Sequence, residues 1–482
     1  MMRDLAAIAL NSAKINGATY ADIRIIIKDT EDIEVRNGEI ATLDESESIG
    51  FGVRVIVDGC WGFAASSRIE KEEIEKITKK ACSEAAASSM LKKEDIRLSK
   101  EEIHQTTWHT PFIIDPFGVP LTEKLDLLFK IDKILRADPR IAVAESSMNF
   151  MREKQILATS EGSLIEQTLL RSGGGYSATA VKDGDVQKRS FPMSFGGQYL
   201  GMGYEIIRSL DLLENAEKTR EEAVALLSAR PCAPGKKDII IDGTQLALQI
   251  HESVGHPSEL DRVMGLEENY AGRSFLTTEK YRKFRYGSDI VNLVADSTMP
   301  TGLSTFGFDD DGIRAQRWHI VKDGIFTGYH TNREFAHVIG DERSKGANRA
   351  DGWSSLPMIR ITNLSLMPGD WRLDDLIKDT EDGLFFCTNK SWSIDQLRYN
   401  FQFAAEIGWE IKNGKLCDMV KNCTYQGITP EFWSSCDAIC NIDYWKPWGV
   451  VNCGKGQPGQ TAEMSHGAAP ARFRNVTVGI AK

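Results

Sequence analysis

The chain has 482 residues, 41% hydrophobic and 26% charged, with a formal net charge of −11; this length predicts two or three domains with sizeable cores. The acidic balance argues against a broad electrostatic grip on nucleic acid, which needs a basic surface. No run approaches 18 apolar residues, so no membrane span is expected.

No secretory leader is expected at the opening Met1-Met2-Arg3-Asp4, because Asp4 and Asn11 interrupt any apolar core. Nine cysteines are scattered without framework spacing, which predicts free thiols in a reducing cytoplasm. Residues 1–16 read as a helix with Leu5, Ile8 and Ala9 on one side, and residues 22–27 as a strand. Asn37-Gly38 and Asp58-Gly59 are hairpin turns, with Val53–Val57 the clearest strand between them. Residues 69–87 carry a helical stripe of Ile74, Ile77, Ala81 and Ala85. The pattern then recurs. Thr122 can cap a helix that turns Leu125, Leu128, Ile131 and Leu135 inward. Strand-like runs follow, broken at Glu161-Gly162 and Asp183-Gly184, and a helix closes the segment at about 204–229. Gly173-Gly174-Gly175 and Gly196-Gly197 lack the context of a phosphate loop and read as bulges or close backbone approach, with an exposed edge for a substrate backbone as the functional rival.

Pro231-Cys232-Ala233-Pro234-Gly235-Lys236-Lys237 breaks all periodicity and marks the main boundary. The expected fold is α+β. An N-terminal domain spans 1–230, made of two helix–antiparallel-strands–helix halves at about 1–92 and 118–230. A mostly antiparallel β domain spans 231–482. In the latter, Ile239-Ile240-Ile241 is a strand and Thr244 can cap the following helix. Asp311-Gly312, Asp323-Gly324 and Asn413-Gly414 are hairpin turns, and about 371–383 is the one other long helical stretch.

The chemistry concentrates in His251-Glu252-Ser253-Val254-Gly255-His256, which holds two of only eight histidines. Imidazoles are neutral zinc ligands, and a carboxylate beside them can activate a zinc-bound water. Zincins space such histidines i, i+4 on one helix face. Here the spacing is i, i+5, which on an ideal α-helix separates the rings by about 140°. The helix must therefore carry a one-residue bulge or end between them. Gly255 and Pro257 offer means for each. Leu246, Ile250 and Val254 form the core-facing row, and Ala247, His251 and Gly255 its neighbour. A catalytic zinc takes a third protein ligand. Glu259, Asp261, Glu267, Glu268, Cys453 and His466 are candidates, and by chemistry alone Cys453 and Glu259 are close rivals. Tyr425, Trp433, Tyr444, Trp445 and Trp448 can line a peptide site or fill a core.

His251–Pro257, Phe308-Asp309-Asp310-Asp311-Gly312, Pro357-Met358-Ile359-Arg360-Ile361-Thr362-Asn363-Leu364, Cys453-Gly454-Lys455-Gly456-Gln457 and Arg474–Gly479 together resemble the TldD/PmbA family, known as modulators of DNA gyrase, over nearly the whole chain and in the same order. The resemblance implies a zinc metallopeptidase of TldD type, acting on unfolded or small peptides. His251, His256 and Cys453 would be the zinc ligands and Glu252 the catalytic base. It also implies an enclosed dimer, with itself or with a PmbA-like homologue. Residues 389–396 depart from the pattern, lacking the glycines that members often show before an F-x-F strand, here Phe401-Gln402-Phe403. A non-catalytic regulator with a structural zinc is the competing function; it has no use for Glu252. Direct nucleic-acid binding is disfavoured by the charge.

Overall fold

Apolar residues at alternate positions, Ile23, Ile25, Ile33 and Val35, give the segment from Tyr20 one apolar strand face. In the computed structural model, which describes residues 2–479, that strand is the hub of an eight-stranded sheet. The elements run α1 (Met2–Ile15), β1 (Tyr20–Arg36), β2 (Glu39–Val57), β3 (Cys60–Ser66), α2 (Lys71–Ser88), β4 (Gln105–His109), α3 (Leu121–Leu135), β5 (Ile141–Thr159), β6 (Leu164–Lys182), β7 (Asp185–Phe191), β8 (Gln198–Leu200), α4 (Glu205–Ser209) and α5 (Leu212–Ser228). Met1, the first residue of the predicted first helix, lies outside the described residues, as do residues 480–482.

The order is the expected repeat, but the two halves share one sheet, β3-β2-β1-β5-β6-β4, with β7 and β8 also paired to β6. β1 pairs antiparallel with both β2 and β5. It runs well past the expected 22–27, because the polar stretch Lys28–Asp32 finds partners in β5 and α3: Arg152 Nε lies 3.1 Å from Asp29 and Lys124 Nζ 2.6 Å from Glu31. Asn37-Gly38, Asp58-Gly59 and Asp183-Gly184 turn with positive φ at both residues, as two-residue hairpins require. Three local readings are corrected. α3 begins after Pro120 without a side-chain cap, so Thr122 does not cap it. The helix expected at 204–229 breaks at Leu210-Asp211, where Asp211 has φ 49°. The stretch 371–383 is helical only over Leu373–Lys378, and Asp382 already opens a strand. The glycine cluster of β6 marks close approach: a Cβ on Gly197 would stand 2.0 Å from the Gly174 carbonyl oxygen.

α1 and α2 pack over Ile23 and Ile25, α3 and α5 over Ile33 and Val35, all on one face of β1. By strand alternation the even positions face the other way, and there Arg24 and Asp22 meet the C-terminal part. Asp310 accepts from Arg24 Nη1 at 3.3 Å and from Gln155 Nε2 at 2.6 Å. Asp311 accepts from Arg54 Nη2 at 2.7 Å, while Arg54 Nε holds Asp22 at 2.9 Å. The acidic motif at 308–312 is thus a buried lock between the two parts of the chain. Removing one partner would leave an uncompensated buried charge, at a cost of about 3–5 kcal/mol.

The chain passes to a second sheet through β9 (Arg230–Pro231) and β10 (Gly235–Ile241). β10, Ala471–Val478, Cys423–Ile428, Asn400–Lys412 and Asp382–Ile394 pair in sequence, and the last pairs back to β10, closing a five-stranded ring. Only the pairing of β10 with Asp382–Ile394 is parallel within it. Phe386, Phe401, Phe403, Tyr425, Trp433 and Phe473 pack in one core with the next helix, α6 (Gly243–Ile250). Tyr425 and Trp433 therefore belong to the core, while Tyr444, Trp445 and Trp448 are half-buried. Among the described residues no helix is long and apolar enough to cross a membrane.

Candidate metal centre

α6 starts at Asp242, whose Oδ1 accepts from the Thr244 amide at 3.0 Å and from its hydroxyl at 2.6 Å. The cap is Asp242, and Thr244 instead supports it. Leu246, Ile250 and Val254 are fully buried in the barrel core, as their spacing predicts. The helix then widens into a π turn over His251–Gly255, closed by the His256 amide bonding to the His251 carbonyl, and tightens to a 3₁₀ turn at His256–Ser258. An i→i+5 turn brings residues five apart onto one face. The two imidazoles accordingly stand 4.8 Å apart, centroid to centroid. Gly255 makes room, since a Cβ there would lie 2.7 Å from Ile361 Cδ1. Side chains support the widened turn: Ser253 Oγ donates to the Gln249 carbonyl at 2.6 Å, Trp433 Nε1 donates to Ser253 Oγ at 3.0 Å, and the Tyr286 hydroxyl donates to the Ser253 carbonyl.

Cys453 arrives from the hairpin of Lys446–Lys455 with Gln460–Ala468. A register shift between Val450 and Cys453 re-aims that strand, and Arg360 grips the Cys453 carbonyl. Cys453 Sγ lies 3.6 Å from His256 Nε2, and one donor atom each of His251, His256 and Cys453 fall within 4.8 Å of one another, all buried.

The surrounding hydrogen bonds set the tautomers. His466 Nδ1 faces the Leu364 carbonyl at 2.9 Å and must donate to it, so its Nε2 accepts from His251 Nδ1 at 2.8 Å. Glu259 Oε2 accepts from His256 Nδ1 at 2.9 Å. Both histidines therefore spend their Nδ1 protons outward and keep an Nε2 lone pair for the centre. Burial holds His251 below its ordinary pKa, and pushes His466 well below. Burial opposes ionisation of Glu259, but Lys455 and His256 outweigh it and keep the carboxylate well below its usual range. Burial likewise opposes the Cys453 thiolate, and His256, when it carries a proton on Nε2, and Arg360 overcome it, drawing that thiol down in the metal-free centre. Two imidazole lone pairs and a thiol favoured as thiolate make a borderline-soft donor set that fits zinc.

Glu252 sits beside these donors. Its Oε2 accepts from Arg398 Nη1 at 2.7 Å. Burial would raise its carboxyl pKa, but the imidazoles and Arg398 together hold it below the ordinary value. Of the other candidates, Glu259 and His466 stand behind the two imidazoles. Asp261 pairs with Lys455 Nζ at 2.7 Å and Glu267 with Arg262 Nη2 at 3.0 Å, while Glu268 is exposed and bound to Arg273. A cavity of about 220 Å³ adjoins this charged layer, lined by Trp61, Asp261, Glu267, Phe335, Met358 and Gln457 among others. Arg398, Arg360 and Lys455 were not foreseen as site residues. Lys455 and Arg360 lie inside motifs already singled out; Arg398 had no such signal beyond its place next to the aberrant 389–396 stretch.

The family model of the PmbA/TldA metallopeptidase C-terminal domain matches residues 234–479, that of domain 1 matches 21–85 and that of the central domain 114–229. The chain belongs to the PmbA/TldA metallopeptidase family. Among curated members, metalloprotease MJ0996 of Methanocaldococcus jannaschii is 29% identical over 454 residues, 94% of this chain and 95% of that one. The zinc metalloprotease TldD homolog of Saccharolobus solfataricus is 22% identical over 481 residues, 98% of each. The fold is shared with a Thermotoga maritima protein described as a candidate modulator of a DNA gyrase, at TM-score 0.77 and 19% identity over 99% of this chain and 100% of that one. It is shared too with TldE of Thermococcus kodakarensis, at TM-score 0.71 and 15% identity over 99% and 100% of the chains.

Proposed function

We propose that this metallopeptidase-family chain hydrolyses unfolded or small peptides with a zinc ion held by His251 Nε2, His256 Nε2 and Cys453 Sγ. The observation that carries the reading is the convergence of these three donors beside a carboxylate that is not one of them. When bound, zinc supplies Lewis acidity, polarising a peptide carbonyl and easing deprotonation of water. Glu252 accepts the proton of the attacking water through Oε1 while its Oε2 stays on Arg398. The water oxygen bonds to the carbonyl carbon and the C=O pair moves onto oxygen. Glu252 then returns the proton to the leaving nitrogen as the C–N bond breaks. Glu259 and His466 keep the imidazoles in the ligating tautomer. All nine cysteines are unpaired, which suits a reducing cytoplasm.

The purified protein is expected to hold about one zinc per chain, matching the single three-donor centre among the described residues, and to cleave an unstructured peptide, with a chelator abolishing cleavage. Zinc-loaded protein that cleaves no such peptide would favour the regulator with a structural zinc. Glu259→Gln keeps an acceptor for His256 but loses the charge. Zinc affinity should fall about 10–100-fold, as for other carboxylates behind a ligating histidine. Competition against a chromophoric chelator measures this, and an unchanged constant would remove Glu259 from the centre.

We further propose, on the family resemblance, that two such chains assemble, either two copies or this one with a PmbA-like homologue. Light scattering should then give about twice the 53.7 kDa chain mass, for the chain alone or mixed with that homologue. Full activity as a monomer would refute the assembly.

A further inference from the structure

Arg398 occupies a backbone position where arginine is costly. Its φ is 64°, the left-handed region that glycine and asparagine enter most easily. The loop around it is tightly fixed. Asp395 Oδ1 accepts from the Tyr399 amide at 2.8 Å, the Asp395 carbonyl accepts from the Arg398 amide at 2.9 Å, and the Thr429 hydroxyl donates to the Arg398 carbonyl at 3.0 Å. On the other side the Leu397 carbonyl takes the Phe275 amide at 2.9 Å. A non-glycine residue held in such a conformation by its surroundings is a reason to ask what its side chain does.

The side chain is 13% exposed and meets the centre at Glu252. Nη1 binds Glu252 Oε2, whereas Nε is buried without an acceptor among the described residues. A buried guanidinium N–H with no partner costs free energy, which a substrate acceptor would recover if peptide binding turns the guanidinium so that Nε is exposed to it. During hydrolysis the group that gains negative charge next to Glu252 is the carbonyl oxygen of the scissile bond. We infer that Arg398 is a second catalytic residue, which anchors Glu252 through Nη1 and donates from Nε to that oxygen as the tetrahedral intermediate forms. The inference rests on the peptidase reading above. It assigns no proton transfer to arginine, which stays charged throughout.

Arg398→Gly tests it, because glycine relieves the left-handed strain and leaves a space the size of the lost group. The zinc-loaded, full-length variant should keep its zinc content and its fold, with a lower melting temperature, because relief of the backbone strain only partly offsets the unpaired, buried Glu252. Its kcat on an unstructured peptide should fall about 10²–10³-fold, the usual loss for one oxyanion donor, with KM near the wild-type value. Added guanidinium ion should restore part of kcat, and uncharged urea should not. Independently of turnover, a phosphinic peptide, which mimics the tetrahedral intermediate, should bind the variant more weakly by a similar factor in calorimetry. Wild-type kcat in the variant overturns the inference. So does a loss of kcat that guanidinium leaves untouched while phosphinic-peptide affinity is unchanged, the signature of a purely structural role. Zinc-loaded wild-type protein that cleaves nothing overturns the peptidase reading and this inference with it.

Discussion

Glu252→Gln protein should bind zinc like the wild type and turn over peptide about 10²–10⁴-fold more slowly, the range for losing a positioned general base. The amide has the shape of the carboxylate and can still accept from Arg398 through its oxygen, so the loop carrying Arg398 has no reason to move. It cannot take a proton from water. Glu252 is also not one of the three clustered donors, so the metal content should not follow the activity. Elemental analysis and a peptide assay on the same preparation separate the two properties, and a melting curve confirms that the variant is folded. Cleavage at the wild-type rate would mean that Glu252 is not the base. Loss of zinc together with activity would mean that it serves the metal instead. A regulator with a structural zinc predicts neither, because no turnover exists to be lost.

The part of this centre that could be read from the chain is the part built from neighbours in sequence. The i, i+5 spacing of His251 and His256 is incompatible with a regular α-helix, and Gly255 offered the release; the π turn is the outcome. Glu259, three residues beyond His256, was within reach of its ring, but spacing alone could not say whether it would meet the metal or the far side of the imidazole. The answer depended on Lys455, whose Nζ stands 3.3 Å from Glu259 Oε1 and whose position is set by a hairpin from the end of the chain. Arg398 was illegible for the same reason. Its meeting with Glu252 is created by closure of the five-stranded ring, and no local pattern encodes it. The fold behaved similarly. The apolar alternation at Ile23–Ile27 announced a strand, while the charged continuation of β1 looked like its end. Only the facing strands β2 and β5 supply the partners that carry the strand on to Arg36.

Cys453→Ser should weaken zinc binding sharply and remove the stabilisation that zinc gives the wild type. A thiolate is a better zinc ligand than a serine hydroxyl, which stays protonated under conditions where a metal deprotonates a thiol outright. Cys453 also comes from a hairpin distant in sequence from the π turn, so a metal shared between them cross-links two parts of the fold. Binding energy then becomes folding energy. With free zinc at a hundred times its dissociation constant, the wild type should gain about 2.7 kcal/mol, seen as a higher melting temperature than after chelation. The serine variant should show almost no difference between the two conditions. Alkylation gives a second, independent test. Cys453 is buried even without a metal, so its labelling must be compared with and without chelator, using exposed Cys417 as the internal reference. Chelation should raise labelling of Cys453 relative to Cys417, because it frees a thiol whose neighbours already favour the thiolate. Equal relative labelling, once removal of zinc has been verified, would take Cys453 out of the ligand set.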